Sequence, residues 1–266
     1  MATDERLAAQ QWPIVTRRWR AFGWIAALTT VYAVSWQLVG IDLGRAAEGL
    51  PRLLDWGARG WPPDFSNPQV LALRAAETVA MATLGTTIAA VLALPLAWLA
   101  ADGISPSKAV AVPIRWWFNA LRGIDSFIFA LIFVAAVGLG PFAGVLGIGL
   151  HVWGSMAKLY AESMETANLR PFKAAVASGA NRSKAFVFVL LPDVVRDLLS
   201  VTLFWWEFNV RASTVLGIVG AGGIGQMLKN SMDLLDFPRV VAVILVVLAL
   251  VTAIDQVSAL LRRRVA

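Results

Sequence analysis

The sequence predicts an all-α integral membrane protein with six transmembrane helices, and three observations carry that reading. The 266 residues are 58% hydrophobic and 15% charged, whereas a soluble domain carries about 25% charged residues. One aqueous core cannot hide such an apolar excess, and a bilayer can. Uncharged runs recur at 21–41, 78–101, 126–157 and 240–254, and ~20 mostly apolar residues suffice to cross ~30 Å of hydrocarbon. Lys and Arg are spread unevenly between the segments that join those runs, as the positive-inside rule requires of a multi-pass chain.

In chain order, residues 1–20 form a short N-terminal segment with Arg6, Arg17, Arg18 and Arg20. The apolar run after it is too long for the h-region of a secretory signal, and no clear small-residue cleavage site follows, so it is read as the first permanent span. One transmembrane domain is expected over 21–266. Its first helix covers about 21–41, and a polar segment at 42–70 holds Pro51, Pro62, Pro63 and Pro68. The second helix covers about 71–100. The third runs from about 114 to 137, where the glycines and Pro141 of G-L-G-P-F-A-G (138–144) stop it. The fourth covers about 142–163, a basic loop about 164–192, the fifth helix about 193–218 and the sixth about 238–261. With the N-terminus inside, the inner segments hold sixteen Lys and Arg residues and the outer ones six. Both termini are therefore expected in the cytoplasm of a bacterial inner-membrane protein.

Several classes fall away. There is no cysteine and a single histidine, His151, so no Cys/His metal cluster is expected. The net charge of +6 suits inner loops and lipid headgroups, and no nucleic-acid-binding module is present. Gly220, Gly222 and Gly225 spell G-x-G-x-x-G, with Gly223 among them. A dinucleotide fingerprint would follow a strand and precede a ribose-binding acid by ~20 residues. Here a long span precedes, and Asp233 and Asp236 come too soon. The glycines are read instead as irregular backbone at the outer mouth, a periplasmic gate loop covered by protein or a water-filled cavity.

The basic loop is the most informative stretch. In KAAVASGANRSKAFVFVLLPD (173–193), Pro171 suits a first helical turn, and Ala174 to Ala177 favour helix. Gly179 can end that helix left-handed, Asn181 can cap a second over Arg182–Leu190, and Pro192 opens the fifth span. Such order suits docking to a partner, and an amphipathic segment on anionic lipid is the plainer reading. The segment resembles the EAA loop of ABC importer permeases, E-A-A-x-x-x-G-x(9)-I-x-L-P. Ala174, Ala175, Gly179, Leu191 and Pro192 fall at matching positions, Val189 stands for the Ile, and Lys173 replaces the glutamate. The resemblance implies that Lys173, Ala174, Ala175, Gly179, Ala180, Leu191 and Pro192 couple to an ATPase subunit.

More of the chain resembles the phosphonate branch of that family, which carries phosphonate and related reduced-phosphorus anions. The resembling stretches are 77–98, 129–151 and 206–226, with NVRASTVLGIVGAGGIG the most specific. The resemblance implies a type I ABC importer permease fold and alternating access. It also implies a second copy of the permease, two cytoplasmic ATPases that use ATP and Mg, and a periplasmic substrate-binding protein. No cofactor is expected on this chain, which carries no Walker A pattern and is expected to leave ATP hydrolysis to its partner.

Polar residues inside predicted spans are the candidate pathway. Glu207 and Arg211 lie four apart in the fifth helix, in the order that favours a same-face ion pair, at ~2.5–3.5 kcal/mol for each central charge. Either they pair to hold helices together, or Arg211 meets an anionic oxygen with Glu207 holding or releasing it. Asn209, on another face, and Ser213 and Thr214 complete this group. Glu77 and Thr78, near the outer end of the second helix, either line the entrance or cap a helix. Arg122 and Asp125 are read as a solvated pair, and His151 as a satisfied interior hydrogen bond. No nucleophile–base set is evident, so a membrane enzyme is disfavoured. The rivals are the same machine for another solute, such as an amino acid, and an ion-coupled secondary transporter, for which no inverted repeat is obvious.

Overall fold

A computed structural model describes residues 22–265; the expected cytoplasmic segment 1–20 lies outside the described residues. The described residues fall into two compact units that divide between Trp56 and Gly57. In the first, α1 (Phe22–Val39) is apolar and exposed along its length. Its two threonine hydroxyls are satisfied within the helix, Thr29 donating to the Ile25 carbonyl and Thr30 to that of Ala26. Such a helix suits lipid. Gly40, in the left-handed region at φ 62°, ends it, and α2 (Leu43–Arg59) follows with no buried residue.

The second unit is built on α3 (Pro68–Ala100). Its buried face is a stripe of small residues: Ala82, Gly85, Ala89, Ala93, Ala97 and Ala100. This lets α6 (Pro141–Thr166) approach closely. A Cβ on Gly85 would stand 2.8 Å from Ile148 Cγ2. Between them run α4 (Lys108–Arg122) and α5 (Ser126–Val137). The third helix expected over 114–137 is in fact this pair, bent by 84°. Gly123 closes α4, and Asp125 caps α5 by accepting from Phe127 N–H (2.8 Å). Asp125 was expected to pair with Arg122; it is used for that cap. His151 Nδ1 donates to the Ile124 carbonyl at the same bend (2.7 Å), as expected.

The chain continues through α7 (Arg170–Ala177), α8 (Arg182–Ala185) and a π-helical turn, Phe186–Leu190, into α9 (Leu191–Leu216). A 3-10 turn, Gly217–Val219, then leads to α10 (Gly223–Asp233) and α11 (Phe237–Val265). The core lies between α3, α6 and α9, around Ile148, Met156, Met164, Leu190 and Leu216. Among the described residues, four helices are long and apolar enough to cross a membrane, α1, α3, α6 and α11, and the bent α4–α5 pair makes up to five. Six crossings were expected. The sixth candidate, α9, carries Asp193, Arg196, Asp197, Glu207 and Arg211 and is not among those helices.

Segment 60–67 is pinned on the first turns of α11. Asp64 N–H donates to the Pro238 carbonyl (3.0 Å), and Asp64 pairs with the buried Arg239 (3.4 Å). The Ser66 backbone N–H, then the Ser66 hydroxyl and the Arg239 charge, hold the Asp64 carboxyl below the usual range.

Candidate functional site

Two polar assemblies sit at the two ends of α9. At its Leu191 end, the α7–α8 loop rests on an apolar plug of Phe172, Ala185, Phe186 and Leu190, all buried. Pro171 lies in the first turn of α7. That helix closes with Ser178 N–H on the Ala174 carbonyl and Ala180 N–H on that of Ala175. Gly179 takes φ 96° between them, and the Asn181 side chain caps α8 by accepting from Ser183 N–H (3.2 Å). Lys173, Ala174, Ala177, Ser178, Gly179 and Asn181 are left exposed, with Ala175, Ala180 and Leu191 half-buried and Pro192 opening α9. A cavity of about 200 Å³ lies beside them, lined by Asn168, Pro171, Phe172, Val189, Leu190 and Asp193.

Sequence reasoning missed what holds this loop. The Arg182 guanidinium donates to the carbonyls of Ile104 (3.3 Å) and Ser105 (2.5 Å) in the turn between α3 and α4. Arg115 and Glu165 clamp the same turn from α4 and α6. Arg115 donates to the Ala100 carbonyl (2.9 Å) and to Glu165, and lies 3.3 Å from Asp102, whose N–H donates to Glu165 (2.8 Å). The loop is therefore joined to α3, α4 and α6 through one turn. The contacts of Glu165 and of Arg182 join residues 50–78 apart in sequence, and no local pattern announces them.

Along α9 the expected residues separate onto two faces. Asn209 is buried and donates to Thr86 Oγ1 of α3 (2.7 Å), and buried Ser213 donates to the Asn209 carbonyl. Thr214 donates to the Arg211 carbonyl. Glu207 and Arg211 face α11. They are 3.9 Å apart, but each has a nearer partner: Arg262 donates to Glu207 at 2.7 Å, and Arg211 lies 3.5 Å from Asp255. The local pair is thus part of a four-group chain of alternating charge. The Arg211 side chain is 55% exposed and that of Glu207 20%, so of the two α9 charges in this network Arg211 is the more open. Sequence reasoning missed Arg262 and Asp255, which α11 brings to α9 only in the fold.

At the Leu216 end of α9 lies the glycine turn. Gly220, Gly222 and Gly223 take φ of 90°, 82° and 70°. Gly223 N–H donates to Glu77 (3.1 Å) and Ile224 N–H to Thr78 Oγ1 (2.8 Å), so these two residues of α3 cap the N-terminus of α10. Arg74 holds Glu77 (2.8 Å). Glu77 and Thr78 therefore stand in a capping role, but for α10 and not at the start of their own helix, which begins at Pro68. Gly223 has no room for a side chain, since a Cβ would stand 2.5 Å from Thr78 Oγ1, and a Cβ on Gly225 would overlap the Thr214 carbonyl. This irregular backbone is covered by protein: Thr78 lies ten residues into α3, or about 15 Å at 1.5 Å per residue, and Ile224 packs on Leu71 and Val243.

Residues 93–266 match the family described as the inner membrane component of binding-protein-dependent transport systems. The chain belongs to this family. It is a multi-pass membrane permease subunit, a transport component and not an enzyme, and systems of this family pair such a subunit with a separate ATPase and a binding protein. It is 45% identical over 248 residues to HtxC of Stutzerimonas stutzeri, which carries the name of a phosphite transport system permease protein, covering 93% of this chain and 88% of HtxC. It is 39% identical over 246 residues to the phosphite transport system permease protein PtxC of the same organism, covering 92% and 90%. Among solved structures it resembles the MetNI methionine ABC transporter in an inward-facing conformation. The TM-score is 0.65 and the identity 21%, over 75% of this chain and 99% of that one. That likeness shows the type I permease fold.

Proposed function

We propose that this permease imports phosphite or a related reduced-phosphorus oxyanion, such as a phosphonate or hypophosphite, driven by ATP and Mg bound in a partner ATPase. The observation that carries the substrate class is the likeness, over more than nine-tenths of the chain, to two permeases named for phosphite. The amino-acid reading rests only on a fold likeness at 21% identity. An arginine fork suits such oxyanions, because two N–H donors meet two oxygens of one tetrahedral centre. Arg211 is the candidate. Glu207 and Asp255 compete with the anion for it, which keeps binding weak enough for release. Asn209, Ser213 and Thr214 shape the same helix, and Glu77 and Thr78 bear on the pathway through the turn they hold.

In this reading both termini are cytoplasmic, the α7–α8 loop faces the ATPase, and the glycine turn closes the periplasmic side. A second copy of the chain completes the pathway. ATP binding draws the ATPases together, and Lys173, Ala174, Ala175, Gly179 and Ala180 receive that motion. Leu191 and Pro192 carry it into α9, and Arg182 carries it into the α3–α4 turn. Only a partner that binds the two permease states unequally can shift between them.

The test is ATP hydrolysis by the permease reconstituted in lipid with its ATPase and binding protein. The binding protein is supplied empty or loaded with phosphite, methylphosphonate, hypophosphite or phosphate. Stimulation by a reduced-phosphorus ligand and not by phosphate supports the reading. Equal rates with every ligand overturn the substrate assignment, and uptake without the ATPase overturns the importer.

A further inference from the structure

We infer that α2 is a membrane-surface helix: it lies along the bilayer face between the end of α1 and the start of α3, with its leucine face in the acyl–headgroup layer. Its residues divide cleanly. At 3.6 residues per turn, Leu43, Leu50, Leu53 and Leu54 fall within an arc of about 100°, and Arg45, Glu48, Arg52, Asp55 and Arg59 within an arc of about 80° opposite. All four leucines are at least 60% exposed, and no residue of α2 is buried. Left in water, such a face would be an unexplained apolar stripe. In an interface it is the expected design.

Both ends of the helix fix its occupant. Its first residue, Leu43, follows α1 by only three residues, 40–42. At no more than ~3.6 Å per residue, it stays within about 14 Å of the end of that span. Its last residue, Arg59, precedes Gly60, which is buried on the first turns of α11: a Cβ there would stand 3.3 Å from the Phe237 carbonyl and against the Val241 side chain. The protein surface at that level is apolar outward, with Trp61, Leu234 and Leu235 all more than two-thirds exposed. A helix of 17 residues is about 26 Å long. Standing upright, it would carry one end far from the bilayer, yet one end is tied to a span and the other to the end of a second span. It must run along the surface. The leucines then meet lipid, and the five charges meet water.

The chain has no cysteine, so single cysteines report cleanly. Nitroxide labels are placed at Leu50→Cys, Leu54→Cys, Arg52→Cys and Asp55→Cys in the full-length permease, in vesicles of phosphatidylethanolamine and phosphatidylglycerol. Tyr32→Cys in α1 serves as the in-bilayer reference. Collision with dissolved oxygen reports lipid, and collision with a water-soluble nickel chelate reports water. The expected result is several-fold higher oxygen accessibility and several-fold lower nickel accessibility at 50 and 54 than at 52 and 55. Equal nickel accessibility at all four sites would overturn the proposal. So would shielding of 50 and 54 from both reagents, which would assign the leucine face to a second copy or to a binding protein. Neither outcome depends on transport, so the substrate reading stands or falls separately.

Discussion

The two ends of α9 are built by opposite means. At the Leu191 end, bulky side chains fill the space below the loop, one long guanidinium ties it down, and the outer face of α7 stays uncovered. At the Leu216 end, side chains are absent where backbones meet, and the N–H groups of α10 are satisfied by α3. One end presents a surface, and the other is sealed. A loop that must receive a partner needs free area, whereas irregular backbone in a membrane protein needs cover.

The contrast predicts a graded set of effects. Gly225→Ala drives a Cβ into the Thr214 carbonyl and is expected to cost about 3 kcal/mol, seen as lost yield and a lower Tm. Gly179→Ala meets nothing within 4 Å and is expected to cost only about 1 kcal/mol, for the left-handed backbone. Equal losses would erase the contrast. Thr78→Val strands the buried Ile224 N–H and is expected to lower stability by about 1–3 kcal/mol.

Arg182→Ala removes two bonds to the α3–α4 turn. It is expected to change Tm little but to lower anion uptake per ATP hydrolysed, with partial recovery in Arg182→Lys. A parallel fall in hydrolysis and uptake would make Arg182 merely structural. The smallest effect concerns Asp64, whose lowered pKa stabilises the fold above the ordinary carboxylate pKa. That contribution is lost as pH falls through the lowered value. Asp64→Asn should flatten this acid dependence of Tm and leave Tm near neutral pH lower than in the parent protein.

Features carried by local composition were legible in the sequence. The helices expected at 21–41, 71–100, 142–163 and 238–261 lie close to Phe22–Val39, Pro68–Ala100, Pro141–Thr166 and Phe237–Val265. The Pro171, Gly179 and Asn181 punctuation of the loop also reads directly from residue chemistry. Features set by distant partners were hidden. Residues 42–70 read as polar because five charges and Pro51 mask the regular leucine spacing of α2. The helix at Gly223–Asp233 was hidden, since its two glycines and its polar residues carry little helix propensity, and its caps come from α3. Arg262 and Asp255 join Glu207 and Arg211 only because α9 and α11 run side by side.

The most direct test of the central claim uses Ser178→Cys in the exposed loop and Ile224→Cys at the sealed turn, in the membrane-embedded permease, with labelling by a small maleimide before and after adding the ATPase. The account predicts fast labelling at 178 that the ATPase suppresses, and slow labelling at 224 that it leaves unchanged. Labelling at 178 that ignores the ATPase, or ready labelling at 224 without it, would contradict the account.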